Sequence, residues 1–340
     1  MSIEITLYTK SKRRDNIHRL LKGLGYQPSG HLWDWPPGSM HFFWFEDKDF
    51  LSYDGVGATI YKPSSDEFAL GSCEWALHTR TRSSASPADK DHQDETIRAI
   101  RAELGGNFYN DWHGRNRYTH CGPDGRDAVA RGLFLAYEGI RDRLRSIQFA
   151  TPQPSPDLEK LAKNKKLAPL ATIDPTRVLY NALVPFAVAL LEAFFSRSFK
   201  ILMRYDSKAQ EKLAQQSRKI DMEDVIAIRN GIKSLEDVVA DWYSFQNLDS
   251  IHKAFSEWLR IDFWSTIRSG KKTRVGNKIA FLEERLNYII EFRHGIIHRM
   301  EVNTGLDKKQ IDNIFSATMA VIDTFVDYIE KTRGKIVRGV

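Results

Sequence analysis

The chain of 340 residues has few cysteines and no long apolar run, and each absence excludes a class of protein. Cys73 and Cys121 cannot form the disulfide framework of a small secreted protein, so a reducing cytoplasm is expected. No uninterrupted run reaches the roughly 18 apolar residues that a membrane-spanning helix needs. The segment Met1–Glu4 also lacks the charged and apolar pattern of a secretion signal. These absences predict a cytoplasmic protein without a membrane partner.

The first part of the chain also lacks an excess of charge. Residues 1–150 contain 20 lysines and arginines and 20 aspartates and glutamates, whereas the rest contains 30 basic and 24 acidic residues. The net charge of +6 therefore lies entirely after residue 150. This distribution favours a polyanionic partner, such as RNA, for the C-terminal part.

Residues 1–150 combine strand and helix patterns, which predicts an α+β domain. The order of strand, helix, several strands, helix and strand is that of an α+β sandwich, with the ferredoxin-like arrangement as one candidate. The predicted strands span Ile3–Thr9, His41–Phe45, Phe50–Tyr53, Gly57–Lys62 and Ser72–Arg82. The predicted helices span Lys12–Leu24, Pro87 to a stop at Gly105-Gly106, and Arg126–Ile147.

Two features of this first domain have no assigned chemistry. One is the segment His78-Thr79-Arg80-Thr81-Arg82, and the other is a set of five tryptophans, which are Trp33, Trp35, Trp44, Trp75 and Trp112. Exposed aromatic rings can stack on nucleic-acid bases, but aromatic residues at strand spacing more often belong to the core. A sensor, a regulatory module and a surface that guides RNA all remain open as roles for residues 1–150.

A change in composition marks the end of this domain. Residues 151–175 contain five prolines and a basic run at Lys160–Lys166, which predicts a linker. Residues 176–340 have almost no strand pattern and predict an all-α bundle. The predicted helices run from Asp174-Pro175 to Tyr205 with a kink at Pro185, and over Asp221–Ser244, Leu248–Arg260, Lys278–Met300 and Asp307–Arg333.

The polar segment Arg293-His294-Gly295-Ile296-Ile297-His298 interrupts an apolar helical pattern near the C-terminus. His294 and His298 are four residues apart and share a helix face, whereas Arg293 lies about 140° round from His298. Arginine keeps its charge beside a phosphate, and histidine exchanges a proton near neutral pH. Gly295 costs about 1 kcal/mol in a helix interior, so we expect another helix to approach it closely.

This segment resembles the motif of the HEPN superfamily, in which arginine is followed by Asn, Asp or His, three further residues and histidine. The resemblance covers roughly Asp174–Gly334. It includes the segment Leu190–Phe195 on a long first helix and the stretch Trp242–Leu248, which precedes a helix that contains Ala254-Phe255. The resemblance implies a helical bundle that pairs two-fold, so that two copies of the motif line one cleft. It also implies metal-independent RNA cleavage of the kind found in toxin–antitoxin and anti-phage defence systems.

The resemblance also implies roles for individual residues. His298 would act as general acid and base, Arg293 would bind the scissile phosphate, and His294 would orient the pair or share proton transfer. Glu192 on the first helix is a candidate anchor for Arg293, although a glutamate there equally fits a solvated face. The basic loop around Gly270–Lys278 supplies candidate contacts to the RNA backbone, namely Lys271, Lys272 and Arg274, together with Arg299 after the motif.

Three alternatives bear on this hypothesis. Histidines four residues apart also suit a metal, but Gly295 stands where a zinc protease helix has glutamate, so neither a metal nor another cofactor is expected. Many HEPN domains only bind nucleic acid or a partner, so a non-catalytic scaffold stays open. A third reading is a latent ribonuclease that an antitoxin restrains or a phage-derived trigger releases.

Overall fold

A computed structural model describes the protein, and the chain divides into two compact units, Met1–Arg131 and Gly132–Val340. The division lies before residue 150, where the sequence suggested that the first domain ends. The described residues are 1–30, 35–65, 73–153, 164, 166, 175–270, 273–275, 278–303 and 305–338, with backbone alone for 273–275 and 278–280. Most of the expected linker 151–175 lies outside them.

The first unit is built on an antiparallel sheet of seven strands, in agreement with the predicted α+β class. The strand order across the sheet is β2-β3-β4-β5-β1-β6-β7. The strands are β1 (Ser2–Tyr8), β2 (Gln27–Pro28), β3 (Met40–Trp44), β4 (Val56–Tyr61), β5 (Ala76–Arg82), β6 (Asn107–Asn110) and β7 (Gly114–Arg115). The helices are α1 (Arg14–Gly23), α2 (Pro87–Leu104) and the start of α3 (Ala128–Ala150).

One face of this sheet packs against α1 and α2. Alternate residues of β1, namely Ile3, Ile5 and Leu7, are buried, as the period of two in a strand requires. The helical members of this core are Ile17, Leu21, Ile97 and Ile100. The intervening side chains of β1 therefore point to the opposite face of the sheet.

The expected start and stop of α2 are confirmed. The Ser86 hydroxyl caps the helix by accepting from the Asp89 backbone N–H, the Asp89 carboxylate accepts from the Ser86 backbone N–H, and Pro87 lies in the first turn. Gly105 ends the helix with φ 65°. A side chain at Gly106 would collide with the Tyr8 carbonyl, so this position requires glycine.

The strand predicted at Phe50–Tyr53 is wrong. A 3-10 turn occupies Lys48–Phe50, and Asp49 and Phe50 both have positive φ, which no extended strand tolerates. The Ser52 hydroxyl accepts from the Glu46 backbone and closes the turn. The short strands β2, β6 and β7 were not predicted, because runs of two to four residues carry too little alternation to detect.

The second unit is largely helical, as predicted. After α3 its helices are α4 (Pro175–Tyr205), α5 (Ser207–Ala214), α6 (Met222–Arg229), α7 (Leu235–Ala240), α8 (Leu248–Leu259), α9 (Phe263–Arg268), α10 (Leu282–Arg299) and α11 (Lys308–Arg333). Pro185 lies inside the continuous helix α4. Helix α4 packs against both α10 and α11, so the motif-bearing helix rests on the centre of this unit.

Aromatic rings fill the centre of the second unit. Phe195 of α4, Phe255 of α8 and Phe325 of α11 meet edge to face, with ring centroids 5.2–6.2 Å apart. Phe263 of α9 joins them at 5.1 Å from Phe195. Edge-to-face contact of buried rings adds about 0.5–1.5 kcal/mol per pair beyond burial, which gives α10 a rigid support.

Two predictions for the second unit are wrong. The helix expected over Asp221–Ser244 is interrupted, because Gly231 has φ 70° and Ser234 starts a new helix with its own capping box. The helix expected from Lys278 begins only at Leu282, since Thr273–Val275 and Lys278–Ala280 pair as a two-stranded hairpin. Helices α5 and α9 were also missed, although Asp206 and Asp262 cap them.

Helix α4 is long and apolar enough to cross a bilayer by length and composition alone, with a mean hydropathy of 1.9 over its most apolar window. Half of that window is buried inside the protein. A core helix of a water-soluble protein passes the same test, so this helix is weak support for a membrane span.

Candidate active site at the end of α10

The candidate site lies in the last turns of α10. Leu282, Leu286 and Ile289 bury the first half of the helix against the bundle, whereas the last turn is mostly exposed. The helix ends at Met300, which has φ 53° and donates its backbone N–H to the Gly295 carbonyl. The site therefore combines an anchored helix with an accessible end. The negative end of the helix dipole at this position favours cationic side chains.

The two histidines of the motif lie side by side. Their ring centroids are 4.2 Å apart with an angle of 46° between the planes, and both residues are exposed. The expectation that they share one helix face is confirmed. Two imidazoles in contact provide two proton carriers at one point of the surface.

Arg293 is half-buried and turns towards a neighbouring loop. Its Nη2 donates a hydrogen bond of 3.0 Å to Gln246 Oε1. This loop is itself held in place, because Asn247 caps α8 and the Tyr243 hydroxyl donates to Glu257. The arrangement fixes the position of the guanidinium, while other N–H donors of the arginine fork remain for a ligand.

The reason predicted for Gly295 is wrong, since the close neighbour is a carboxylate from the segment after α10 and not another helix. A Cβ atom at Gly295 would lie 2.5 Å from Glu301 Oε2 and 3.2 Å from Arg299 Nη2. Glu301 also donates its backbone N–H to the Gly295 carbonyl. The chain thus folds back over the glycine, and this turn fixes the end of the helix.

Arg299, a predicted contact to RNA, is engaged by the same carboxylate. Its Nε and Nη2 donate to Glu301 at 2.6 and 3.2 Å, and this hydrogen-bonded pair raises the pKa of Arg299. Both side chains are well exposed. A surface pair of this kind holds together weakly, so a phosphate can compete for the guanidinium.

A buried asparagine ties the segment after the motif to α4. The Asn181 side chain donates to the Asn303 carbonyl at 3.0 Å and accepts from the Asn303 backbone N–H at 2.9 Å. Asn181 is only 2% exposed, so these bonds are shielded from water. Sequence reasoning missed both residues, because a single asparagine in an apolar helix gives no indication of a partner beyond residue 300.

Glu192 lies apart from this group of contacts. It lines a shallow surface depression of about 520 Å³ together with Ser196 and Lys200 of the same helix. Arg293 and the two histidines do not line this depression, and the described bond of Arg293 goes to Gln246. Among the described residues, no contact supports Glu192 as the anchor of Arg293.

The other predicted RNA contacts fall largely outside the described part of the chain. Lys271 and Lys272 lie outside the described residues. The backbone of Arg274 pairs with Ile279 in the hairpin, and its side chain is not described.

The described residues hold no group of three His, Cys, Asp or Glu side chains arranged to bind a metal ion. A metal-free site stays a prediction. Comparison with family models, with curated proteins and with solved structures gives no match for this chain. The resemblance to HEPN proteins therefore rests on the motif and its place in the bundle.

Proposed function

We propose that the chain is a metal-independent endoribonuclease of HEPN type that acts as a homodimer in the cytoplasm. The observation that carries the proposal is the contact between His294 and His298, exposed on the helix that also carries Arg293. RNA cleavage by attack of the 2′-hydroxyl needs a base, an acid and a cation; the motif contains imidazoles and a guanidinium, and in this proposal the base and the acid come from two copies of the motif.

The proposed reaction transfers one proton in each direction. An imidazole removes the proton of the 2′-hydroxyl, and the 2′-oxygen forms a bond to phosphorus. The bond from phosphorus to the 5′-oxygen breaks, and a protonated imidazole gives its proton to that oxygen. Arg293 compensates the negative charge that grows on the phosphate oxygens. The products are a 2′,3′-cyclic phosphate and a free 5′-hydroxyl.

The surface round the motif suits a second copy of the chain. Ile297, Met300 and Val302 are 43%, 83% and 50% exposed, and Val178 on α4 is 55% exposed one turn before Asn181. Exposed apolar residues close together favour protein association. A two-fold pairing through this surface would place two motifs along one cleft, so that one imidazole serves as base and one from the other copy as acid.

The proposal for the first unit is a ferredoxin-like core that senses a ligand, guides RNA or regulates the bundle. Strands β6, β1, β5 and β4 lie in that order, with α1 after β1 and α2 after β5, an order that supports a split β-α-β arrangement. The strands β2 and β3 extend one edge and β7 the other. In this proposal an antitoxin or a phage-derived trigger controls the ribonuclease.

One observation favours a second candidate, a non-catalytic scaffold that binds nucleic acid or a partner. Arg293 is bound to Gln246, and no hydrogen bond among the described residues orients either imidazole of the motif. In this case Arg293 and His298 hold a dimer interface together, and their removal weakens dimerisation.

The test is incubation of the purified protein with RNA in excess EDTA. We expect cleavage that leaves 2′,3′-cyclic phosphates, and its loss in the Arg293→Ala and His298→Ala variants. Both variants should keep the melting temperature and the oligomeric state of the wild type, because neither side chain belongs to the core. Lys253→Ala, on the exposed face of α8, is a control for the loss of a cation.

The outcomes separate the candidates. Undiminished cleavage by both variants would remove the motif from the reaction. Absence of cleavage by the wild type, together with weaker dimerisation of the variants, would favour the scaffold.

A further inference from the structure

The face of the first-unit sheet opposite α1 and α2 carries a depression of about 670 Å³. His78, Arg80 and Arg82 of β5 line it, whereas Thr79 between them is buried on the helix side, where its hydroxyl contacts Gln93 of α2. The unassigned basic segment of the sequence therefore belongs to this depression. Its volume lies in the range of about 300–1,000 Å³ that is common for small-molecule sites.

Polar side chains form a row across this face of the sheet, and His41, Thr59 and His78 of this row line the depression. His41 lies opposite Thr59, Thr59 opposite His78, and His78 opposite Thr6, on four adjacent strands. His41 Nδ1 is 3.0 Å from Thr59 Oγ1, and His78 Nδ1 is 3.0 Å from Thr6 Oγ1. Imidazoles and hydroxyls both donate and accept hydrogen bonds, as the edge of a nucleobase does.

An aromatic wall stands over this row. The Trp35 ring lies 5.0 Å from Tyr61 and 5.0 Å from His78, tilted against both. Phe43, further along the same face, is 42% exposed. Aromatic side chains beside a polar row are the common way in which proteins hold the flat ring of a base.

Charges of both signs occupy the rim. Arg80 Nε lies 3.4 Å from Glu4 Oε1, and Arg82 Nη1 lies 3.3 Å from Asp54 Oδ1. The two arginine side chains are 65% and 75% exposed, so a phosphate can reach them. The carboxylates of Glu4 and Asp54 offset the charge of the two arginines, so the rim has no excess of positive charge to attract a long polyanion. Local contacts from the arginines to one phosphate remain available, and the carboxylates suit the hydroxyls of one ribose.

Gly57 keeps space open between the aromatic and basic parts of this face. It lies between Phe43 on β3 and Arg80 on β5. Glycine weakens a strand and often marks a point where a ligand approaches the backbone. A Cβ atom at this position would meet only the Arg80 carbonyl, at 3.7 Å, which is an ordinary contact. The fold itself therefore does not require glycine here.

We propose that this depression binds a single nucleotide, with its base on the floor beside Trp35, its ribose near Glu4 and Asp54, and its phosphate on Arg80 and Arg82. The site would give the first unit a ligand of its own. This inference does not depend on ribonuclease activity, because the depression contains no residue of the Arg293–His298 motif.

The test is calorimetric titration of the full-length chain with AMP, GMP, CMP and UMP separately. At least one of them should bind with one site per chain. Gly57→Val should lower the affinity for that nucleotide about tenfold or more, because the valine side chain fills the site. The melting temperature should stay equal or rise, since valine favours strands. Arg80→Ala should lower the affinity to a similar extent, because it removes a charged contact to the phosphate.

Arg19→Ala is the matched control. Arg19 lies on α1, on the other side of the sheet, and its side chain pairs with Glu103 of α2 at 2.8 Å. It should bind the nucleotide like the wild type. Failure of all four nucleotides to bind, or equal binding by Gly57→Val, would overturn the proposal. Binding of a short single-stranded RNA that is much tighter than any nucleotide, and that Gly57→Val abolishes, would replace it by an RNA platform.

Discussion

Two groups of charged and polar residues in the second unit, one around Asp206 and one around Arg293, differ in their hydrogen-bond partners and in their exposure. Asp206 binds Arg260 through both carboxylate oxygens and also accepts from Arg333, with only 10% of its side chain exposed. Arg293, in contrast, has one described bond to a neutral amide, and its motif partners His294 and His298 are exposed. The first cluster joins the start of α5, the end of α8 and the end of α11. The second leaves its cation and imidazoles accessible.

This difference separates a structural cluster from a candidate functional one. Ion pairs with a largely buried carboxylate fix the positions of the helices that carry them. Removal of one charged side chain leaves the charge of its partner uncompensated. Charged and titratable groups that remain exposed on a well-supported helix add little stability, so their presence needs another reason. The comparison predicts opposite responses to substitution at the two places.

The largest effect is expected from His298→Ala. Removal of a general acid and base lowers a reaction rate by about a hundredfold or more, whereas an exposed side chain changes stability by less than about 0.5 kcal/mol. The measurement is the initial rate of RNA cleavage, with urea unfolding as the control for stability. A loss of several kcal/mol in the free energy of unfolding, without a change in the rate of RNA cleavage, would reverse the assignment of the two clusters.

Asp206→Ala should show the opposite pattern, a loss of about 3 kcal/mol in the free energy of unfolding with cleavage unchanged under folding conditions. Burial alone would raise the pKa of Asp206, but hydrogen bonds from the Ala209 backbone and the two arginines outweigh it and lower the pKa. The stabilisation is therefore complete above the ordinary pKa of 3.8 and declines as the pH falls through the lower pKa of the folded state.

Urea unfolding of wild type and Asp206→Ala at several pH values measures this effect, and the difference between them should shrink in acid. Asp312→Ala is the control, because the described contact of Asp312 is a partly exposed i,i+4 helix pair with Lys308, and its loss should cost under about 0.5 kcal/mol. Equal losses for the two variants would contradict a special role for Asp206.

Two helix ends sharpen the comparison further. Met300 and Arg260 both end a helix with positive φ, at 53° and 58°. At a concentration where the chain is monomeric, Met300→Gly should stabilise it by about 1 kcal/mol, because glycine adopts this conformation freely and the methionine is 83% exposed in the single chain. Arg260→Gly should destabilise it despite the same relief, because the bond to Asp206 is lost. Thermal unfolding of both variants checks these signs, and a common sign would contradict them.

The smallest effect is expected from Glu301→Gln, which weakens the hold on Arg299. Release of one cation beside the motif should raise the affinity for RNA about threefold at low salt and steepen its salt dependence. Fluorescence anisotropy with His298→Ala as the background avoids cleavage during the measurement. Unchanged binding would mean that Arg299 does not contact RNA.

Much of the fold follows from local patterns in the sequence. The alternation of Ile3, Ile5 and Leu7 locates β1, and Ser86-Pro87 locates the start of α2. Such patterns fail where one residue changes the backbone direction. The positive φ of Phe50 breaks the strand expected at Phe50–Tyr53, and an aromatic residue gives no warning of that conformation.

The candidate site was predictable only in part, because local spacing indicates some of its contacts and not others. Sequence spacing alone places His294 and His298 together, because residues four apart lie on the same face of an α-helix. The partners of the site come from distant parts of the chain, as Gln246 and Asn181 show, and no local pattern indicates them. Gly295 was recognised as unusual, but its neighbour Glu301 depends on a turn after the helix that has no glycine to mark it.

The proposal that two motif copies share one cleft is tested most directly by mixing wild type with His298→Ala at constant total protein, after exchange of subunits. If each cleavage needs a histidine from both chains, the rate falls with the square of the wild-type fraction. A rate that falls in simple proportion to that fraction would show that each chain acts alone.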